Sequence, residues 1–316
     1  MDFLDNSKIE QYLRCPRAYW YRYVLGWKSE RTSVDLVWGE AWHRVLAAHY
    51  IGGQVDECVQ AGVNYYREHF SPADDADNLP KTAGALDTCF HHYIQTYEKE
   101  DAEYTTLAVE VGFRLEIAPG VWMTGRVDRI AQDNITGDIV IQDHKSSKKM
   151  PDGKGVNQWQ MSGQAACYLS AVKRKFPEHH VREFQINLTV PRIPTSKLRT
   201  GLQRISVQLT EEQLREWVEE TVCTQGDIQA ATRNVNDPGE HPLYQKNELR
   251  QGFRRNQTSC YDFGRLCSFF DQCTTWVNPL EHIQQGPPRG MVVEHWNPLE
   301  DLKCGEEWEL PLSTGK

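Results

Sequence analysis

The sequence predicts an α/β fold in which helices flank a mixed β-sheet. Three observations lead to this prediction. Apolar residues recur with helical spacing over the first third of the chain, the apolar period changes to two near residue 107, and a further helix then precedes two more strands. Helices, a strand, a hairpin, a helix and two strands, in that order, are typical of a sheet covered by helices.

The N-terminal third is predicted to be helical. Ser7 and Glu10 have the residue types and spacing of a capping box, so we expect them to open the first helix, which Pro16 interrupts. Further helices are predicted over 34–50, 54–69 and 85–103. His43 lies on the apolar stripe of the helix over 34–50, where a lone histidine is more often a core residue than a ligand.

Three consecutive strands are predicted next. Apolar and polar residues alternate over 107–117, and two β-branched runs follow at 121–130 and 139–145. The segment 133–137 between these runs has the composition of a hairpin loop. Glu110 lies on the polar face of the first strand, so solvent exposure is its simpler explanation unless a metal site reaches it.

The rest of the chain continues with alternating elements. A helix is predicted over 157–176, strands over 182–190 and 202–209, and a capped helix from Thr210 to about 231. From Asn234 onward the chain is rich in Pro, Gly, Asn and charged residues and shows no clear periodicity.

Composition and charge limit the classes of function. The chain has 316 residues, 39% of them hydrophobic and 25% charged, and no apolar run long enough to span a bilayer. Its first residues are acidic and polar, unlike a signal peptide, so a cytoplasmic location is expected. The net charge of −9 argues against tight non-specific DNA binding, but not against a site whose metals neutralise the substrate.

Asp128 and the segment Asp143-His144-Lys145 are the first candidates for chemistry. Because side chains alternate along a strand, Asp143 and Lys145 should share one face, with His144 on the other. Asp128, from the neighbouring strand, can then meet Asp143. Two carboxylates can hold Mg²⁺ while a lysine orients or helps to deprotonate water for attack on a phosphodiester. The alternative is that these residues are ordinary solvated charges on a hairpin.

Cysteines form the second candidate site. Nine cysteines without a secretion signal predict free thiols rather than disulfides. Cys260, Cys267 and Cys273 lie close together, and soft thiolates select zinc or iron–sulfur clusters. The spacing lacks the C-x2-C pairs of structural zinc sites, which favours iron–sulfur. One ligand is missing from the triplet, and three unrelated thiols remain the alternative.

Six motifs occur in order along the chain: Ser7-x7-Cys15-Pro16-Arg17-x-Tyr19, Trp38-Gly39-Glu40-Ala41-Trp42-His43, Gly125-Arg126-Val127-Asp128, Asp143-His144-Lys145-Ser146-Ser147, Gln164-x3-Tyr168, and Cys260, Cys267 and Cys273. Together they resemble the PD-(D/E)XK nuclease superfamily, specifically its RecB-like branch with a C-terminal iron–sulfur cluster. That branch includes AddB-type, CRISPR-associated and phage exonucleases. The resemblance covers roughly residues 3–275. The chain departs from the family pattern in two places: His144 stands where a tyrosine is common, and the gap between Cys260 and Cys267 is wider.

The resemblance implies a restriction-endonuclease-like fold in two parts. Residues 1–233 would form the nuclease core with its N-terminal helices. Residues 234–316 would form an iron–sulfur lobe and tail, packed with residue 15 as one unit. Cys15 would supply the missing fourth thiolate of a 4Fe–4S cluster that clips this lobe to the first helix. A zinc-bound version of the same thiolate site is the weaker alternative.

The resemblance also implies a metal site on the sheet. One Mg²⁺ or Mn²⁺ would be bound by His43, Asp128, Asp143 and the main-chain carbonyl of His144, with Glu110 as a weaker candidate for an outer ligand or a ligand of a second metal. Asp128, Asp143 and Lys145 would be the catalytic residues.

The function implied is that of a metal-dependent DNA exonuclease. Lys145 would position the attacking water, while Gln164 and Tyr168 would steady the lysine or contact DNA. Single-stranded or unwound DNA ends would be the substrate, in repair, recombination or phage DNA metabolism in the cytoplasm of a bacterium or a phage-infected cell. DNA is the expected partner, and a helicase or recombination protein is a further candidate. The motifs imply no membrane association and no particular oligomeric state. The alternative is a catalytically silent DNA-binding scaffold subunit.

Overall fold

The computed structural model describes residues 3–192, 200–236, 249–262, 265–295, 297, 299 and 307–312. The N-terminal elements are α1 (Asn6–Arg14), α2 (Pro16–Tyr19), a π-helical turn (Trp20–Val24), β1 (Trp27–Ser29), α3 (Val34–Tyr50), α4 (Val55–His69) and α5 (Ala83–Asp101). The middle elements are β2 (Tyr104–Ala118), β3 (Val121–Asp133), β4 (Ile139–Ser146), α6 (Gly153–Asn157), α7 (Gly163–Lys175), β5 (Val181–Val190) and β6 (Gly201–Val207). The C-terminal elements are α8 (Glu211–Asn236), α9 (Leu249–Gly252), β7 (Tyr261–Asp262), β8 (Arg265–Leu266), α10 (Phe270–Thr275), β9 (Met291–Val293) and β10 (Glu307–Leu310). Short 3-10 turns lie at Pro72–Asp75, Gln158–Met161, Gln257–Ser259 and Pro279–Gln285.

A six-stranded mixed sheet forms the centre of the fold, in the order β10-β2-β3-β4-β5-β6. The β2–β3, β3–β4 and β5–β6 pairs are antiparallel, whereas β4–β5 and β10–β2 are parallel. The parallel β4–β5 pair requires a crossover, and α6 and α7 provide it. The predicted mixed sheet flanked by helices is confirmed.

The packing divides into two buried clusters. Helices α3, α4 and α5 pack on one another around fully buried aromatic residues such as Trp38, Trp42 and Tyr93. The close approach of α3 and α4 depends on Gly62, where an added Cβ would lie 2.7 Å from the carbonyl oxygen of Ala41. The larger cluster joins the sheet to α1, α2, α7 and the C-terminal aromatic residues. The two clusters therefore hold α3 beside the sheet.

Several predicted elements agree closely with the structure, and two differ. Helix α3 has the predicted bounds, and the β3–β4 hairpin lies where it was expected. However, the N-cap of α1 lies two residues before the N-cap of the predicted capping box. The side chain of Asp5 accepts a hydrogen bond from the Lys8 amide at 2.9 Å, so Asp5 and not Ser7 is the N-cap.

The single helix predicted over 157–176 is the second difference. The segment is divided into α6, a 3-10 turn and α7, and Ser162 caps α7 by accepting a hydrogen bond from the Ala165 amide. Serine is one of the residues preferred at an N-cap, so Ser162 favours such a new helix start. Gln160 therefore lies in the 3-10 turn, apart from the helix that carries Gln164.

The C-terminal region contributes to the same sheet as the strands of residues 104–207. β10 pairs with β2, and α8 runs across the predicted boundary at 233. Residues 237–248 and 300–306 of the predicted lobe lie outside the described residues, and the division into two parts stays a prediction. Of the helices that the structure describes, none combines the length and apolarity that crossing a membrane requires.

Candidate active site

The candidate residues come from five elements that meet at one end of the sheet. His43 lies on α3, Glu110 on β2 and Asp128 on β3. The segment Asp143 to Lys145 lies on β4, and Gln164 and Tyr168 lie on α7. The β2–β3–β4 order places the three strands side by side, so their acidic residues are neighbours across the ladder.

His43, Glu110 and Asp128 form a compact group of potential metal ligands. Nδ1 of His43 lies 3.4 Å from Oδ1 of Asp128 and 3.7 Å from Oε1 of Glu110, and the three atoms lie within 4.8 Å of one another. Nδ1 of His43 and Oε1 of Glu110 are buried and have no hydrogen-bond partner among the described residues. An imidazole nitrogen and two carboxylate oxygens with free lone pairs suit a divalent cation, so these residues fit the metal that the motifs imply.

Glu110 belongs to this group because of an unusual backbone conformation. Its φ is +51°, the only positive value of a non-glycine residue in the described part of the chain. Such a conformation costs about 1–3 kcal/mol in a non-glycine residue and persists where the surrounding structure requires it. Oε2 of Glu110 bonds to Nε of Arg126 at 2.9 Å, which leaves Oε1 to face His43. The sequence placed Glu110 on a solvated face, and no local sequence signal encodes this backbone turn.

Asp143, Lys145 and Gln164 form a second group beside the first. Nζ of Lys145 lies 2.8 Å from Oδ2 of Asp143 and donates to Oε1 of Gln164 at 2.9 Å. Nε2 of Gln164 donates to Oδ1 of Asp143 at 2.9 Å and lies 3.2 Å from the hydroxyl of Tyr168. Asp143 and Lys145 thus share one strand face, and Gln164 bonds to both.

His144 links the two groups through its main chain. Its amide donates to Oδ2 of Asp128 at 2.6 Å, which fixes the carboxylate that faces His43. Its imidazole lies on the opposite face of β4, stacked on Tyr50 with ring centroids 5.8 Å apart. Burial lowers the pKa of the His144 ring to about 3, so the ring is neutral at physiological pH.

The electrostatics of the site reflect crowded, buried charges. Burial raises the pKa of Asp128, but the charge of the nearby His43 and the hydrogen bond from the amide of His144 together hold it well below its ordinary value. The pKa of Asp143 is raised, chiefly by burial and by Asp128, although Lys145 opposes this. Two carboxylates of such different acidity lie together, and an added cation would favour the ionised form of both.

Tyr168 fits against the site because residue 125 is a glycine. A Cβ at Gly125 would lie 2.6 Å from Cζ of Phe113 and 2.8 Å from Cε1 of Tyr168. Both distances are shorter than real Cβ contacts, so any side chain here would push the tyrosine away. The glycine that begins the Gly125-Arg126-Val127-Asp128 motif therefore makes room for α7.

The four cysteines that were predicted to hold a cluster, Cys15, Cys260, Cys267 and Cys273, are free thiols. Asn256 connects two of them, since its amide donates to Sγ of Cys15 at 3.4 Å and its carbonyl accepts from Sγ of Cys260 at 3.7 Å. The amide of Cys267 donates to the carbonyl of Cys260 at 2.8 Å. Cys15, Cys260 and Cys267 are therefore neighbours despite their separation in sequence.

Cys273 completes this group. Burial raises its pKa to about 11; Arg17 opposes this, and the nearby thiols of Cys15 and Cys267 raise it further. Among the described residues, no three of these sulfur atoms lie within 4.8 Å of one another. In a tetrahedral zinc site with Zn–S bonds of about 2.3 Å, the sulfur atoms would lie about 3.8 Å apart. The thiols are therefore more widely spaced than the ligands of one zinc ion.

A buried network beneath the site was not predicted from the sequence. Asp101 accepts hydrogen bonds from Arg129 at 3.0 Å and from Arg204 at 2.8 Å. Arg129 also lies over the ring of Tyr50, which stacks on His144. These residues come from separate helices and strands, so their spacing in the sequence carries no signal that they meet.

Comparison with known proteins adds a family assignment to this geometry. The family model described as the PD-(D/E)XK nuclease superfamily matches residues 6–274, a segment that contains every candidate residue above. No match was found among curated proteins. Among solved structures, the crystal structure of SSO0001 is similar at 16% sequence identity with a TM-score of 0.27, covering 74% of this chain and 94% of that chain.

Proposed function

This chain belongs to the PD-(D/E)XK nuclease superfamily, and from that premise we propose that it is a metal-dependent DNA nuclease with its active site at the meeting of α3, β2, β3 and β4. The observation that carries the proposal is the position of the His43, Glu110 and Asp128 group beside the Lys145–Asp143 pair. The six-stranded mixed sheet is consistent with a restriction-endonuclease-like fold. A nuclease fold implies DNA as the binding partner.

We propose His43, Asp128 and Glu110 as the ligands of one Mg²⁺ or Mn²⁺, with Asp143 and the main-chain carbonyl of His144 completing the set. A divalent metal bound there would supply charge stabilisation at the phosphodiester and a more acidic water. Glu110 is a weak candidate on sequence alone, and its inclusion among the ligands proposed here is supported by the distance of 3.7 Å between its Oε1 and Nδ1 of His43.

The remaining residues prepare the attack. Lys145 holds a proton on Nζ, since the pKa of this lysine is raised, chiefly by Asp143 against the opposing effect of burial. Its ammonium can therefore orient a water and stabilise the developing hydroxide. Gln164 fixes Nζ of Lys145 and Oδ1 of Asp143 at once, and Tyr168 supports Gln164. The side chains hold these positions before substrate arrives.

The test of the active site is the substitution Lys145→Ala in the full chain. Cleavage of linear DNA in Mg²⁺ or Mn²⁺ should fall by at least about 10³-fold, because positioning and electrostatic stabilisation of the water are lost together. Thermal unfolding should remain cooperative, since Lys145 lies at the edge of the core. Undiminished cleavage by this variant, or by Asp143→Ala, would refute the assignment.

We further propose an exonuclease of the RecB-like branch that acts on single-stranded or unwound DNA ends. The ordered motifs support this narrower assignment, and the sequence contains no G-x4-G-K-[ST] helicase motif, so unwinding would come from a helicase or recombination partner. End-labelled linear substrates should be degraded and circular single strands spared. Equal cleavage of circles would contradict exonuclease action.

A catalytically silent scaffold is the alternative from a different functional class. Silent relatives would be expected to lack a carboxylate or the lysine of the site. Here His43, Asp128, Asp143 and Lys145 are all present and in contact with one another or with Gln164. The geometry therefore favours an active enzyme, and the wild-type cleavage measurement separates the two.

We also propose a 4Fe–4S cluster bound by Cys15, Cys260, Cys267 and Cys273. The hydrogen bonds that bring Cys15 and Cys260 to the same residue, Asn256, and Cys267 to Cys260 support the proposal, and thiolates are the ligands that hold such clusters. Anaerobically purified protein should contain iron and sulfide and should be coloured, because such a cluster absorbs visible light. Colourless protein with stoichiometric zinc would overturn the cluster in favour of zinc.

A further inference from the structure

Three cationic side chains surround one carboxylate beside the proposed active site. Asp35, in the first turn of α3, lies 3.2 Å from Nζ of Lys81, 3.0 Å from Nζ of Lys148 and 3.6 Å from an Nη atom of Arg265. These cations come from the segment before α5, the loop after β4 and strand β8. Three distant segments therefore place positive charge at one point.

The charges of these four side chains do not cancel, because three are positive and one is negative. The side chain of Lys81 is 4% exposed, and its ammonium donates to Oγ of Ser146 as well as pairing with Asp35. A buried ammonium needs a carboxylate partner, so Lys81 accounts for the charge of Asp35. Lys148 and Arg265 have side chains that are 57% and 70% exposed, and neither is paired with another carboxylate in the part of the chain that the structure describes. Two exposed positive charges remain.

The location of this pair connects it to the site. Ser146, which holds Lys81, directly follows Lys145 on β4. Lys148 is three residues beyond Lys145, so their Cα atoms lie within about 11 Å. Gly39, one helical turn before His43 on α3, is also close, since an added Cβ there would be 3.6 Å from Oγ of Ser146. The exposed cations thus border the catalytic lysine.

We propose that Lys148 and Arg265 bind the phosphate backbone of the DNA strand next to the phosphodiester that is cleaved, with Asp35 and the buried Lys81 as their support. The inference rests on the proposed nuclease function. Its physical basis is that a chain of net charge −9 must place local positive charge where it holds a polyanion. Lysine and arginine bind phosphates without reading the bases, so this contact would position the strand rather than select a sequence.

Arg265 gives the cysteine segment a part in substrate binding. It lies between Cys260 and Cys267 in sequence, in the two-residue strand β8, which pairs with β7. A metal or cluster that holds Cys260 and Cys267 in place would therefore also hold Arg265 beside α3. On this basis the cysteine site supports DNA binding through position alone and needs no redox step.

The test measures binding separately from cleavage. The full chain carrying Lys145→Ala is titrated against a labelled single-stranded oligonucleotide in Mg²⁺ at several salt concentrations. Adding Lys148→Ala or Arg265→Ala should weaken binding by about fivefold at 0.1 M salt and lower the slope of log K against log salt by about 0.7. Combining Lys148→Ala with Arg265→Ala should lower the slope by about 1.4. Lys148→Arg keeps the positive charge and should bind the oligonucleotide as tightly as the Lys145→Ala parent.

The control is Arg215→Ala on α8, because the side chain of Arg215 is also 70% exposed and is paired with a carboxylate. This variant should leave the affinity and the salt slope unchanged. An unchanged slope in both test variants, or an equal loss in Arg215→Ala, would overturn the inference. If Arg265→Ala lowers the thermal midpoint, Lys148→Ala decides the question, since it lies in a different segment.

The outcome separates this inference from the proposed function. If the chain with Lys145 intact cleaves DNA, and Lys148→Ala and Arg265→Ala bind DNA as tightly as their parent, the phosphate site is refuted while the nuclease stands. If that chain cleaves nothing but both variants lose binding and salt slope, the nuclease is refuted while the phosphate site stands. In an active enzyme the two variants should raise KM about fivefold and change kcat by less than twofold, as expected for loss of uniform binding.

Discussion

Gln164 offers the sharpest test of how the site is organised. It donates to Oδ1 of Asp143 and accepts from Nζ of Lys145, each at 2.9 Å, and both partners are charged. A hydrogen bond to a charged group contributes about 1.5–3 kcal/mol. In Gln164→Ala both bonds are lost, but Lys145 and Asp143 still hold each other at 2.8 Å. We therefore expect the lysine to remain in place but to be less well oriented.

The expected loss is about 10- to 100-fold in kcat, which corresponds to about 1.4–2.7 kcal/mol in the activation free energy. KM should change little, because Gln164 bonds to the proposed catalytic groups rather than to exposed surface. Gln164→Glu keeps the length of the side chain but turns a carboxylate towards Asp143. This variant should therefore lose at least as much activity as Gln164→Ala.

The measurement is single-turnover cleavage of end-labelled linear DNA at saturating enzyme and metal. Gln160→Ala is the matched control, because Gln160 lies in the 3-10 turn before α7 and donates to the carbonyl of Ser206 at 3.0 Å, away from the proposed catalytic pair's hydrogen bonds to Gln164. Its rate should equal that of the wild type. A Gln164→Ala rate within twofold of the wild type would refute the view that Gln164 positions the lysine and the carboxylate.

Two further predictions concern stability. Asp101→Asn removes the carboxylate shared by the buried Arg129 and Arg204. The free energy of unfolding, measured by urea titration, should therefore fall by about 3 kcal/mol. An unchanged urea midpoint would show that the network does not stabilise the fold. Gly125→Ala should cost about 1–3 kcal/mol, because its Cβ would lie 2.6 Å from Phe113. Combining it with Phe113→Leu should recover part of that loss in thermal unfolding, whereas simple addition of the two losses would argue against the contact.

Local patterns in the sequence predicted much of the fold. The bounds of α3, the hairpin between β3 and β4, and the shared face of Asp143 and Lys145 follow from helical and strand periods that neighbouring residues set by themselves. The capping box at Thr210 and Gln213 is also present, with hydrogen bonds of 2.9 and 3.2 Å. These features require no information about distant parts of the chain.

The structure differs from the predicted helix boundaries where two local signals compete. Asp5 and Ser7 both suit an N-cap, and the structure uses Asp5 because the chain there also pairs with β3, through a bridge between Leu4 and Met123. Ser162 was hidden within a helical pattern, yet its hydroxyl starts α7 anew. Packing against the sheet decides between such alternatives, and the sequence window does not contain it.

The sequence by itself determined the chemical components of this protein: two carboxylates and a lysine on a hairpin, a histidine on a helix, and cysteines at both ends of the family segment. Only the tertiary structure decided that Glu110 faces His43 and that Lys148 and Arg265 meet at Asp35. The physical reason is that periodicity orients a side chain relative to its own backbone. Distances between elements depend instead on how whole helices and strands pack, and that packing is a property of the complete chain.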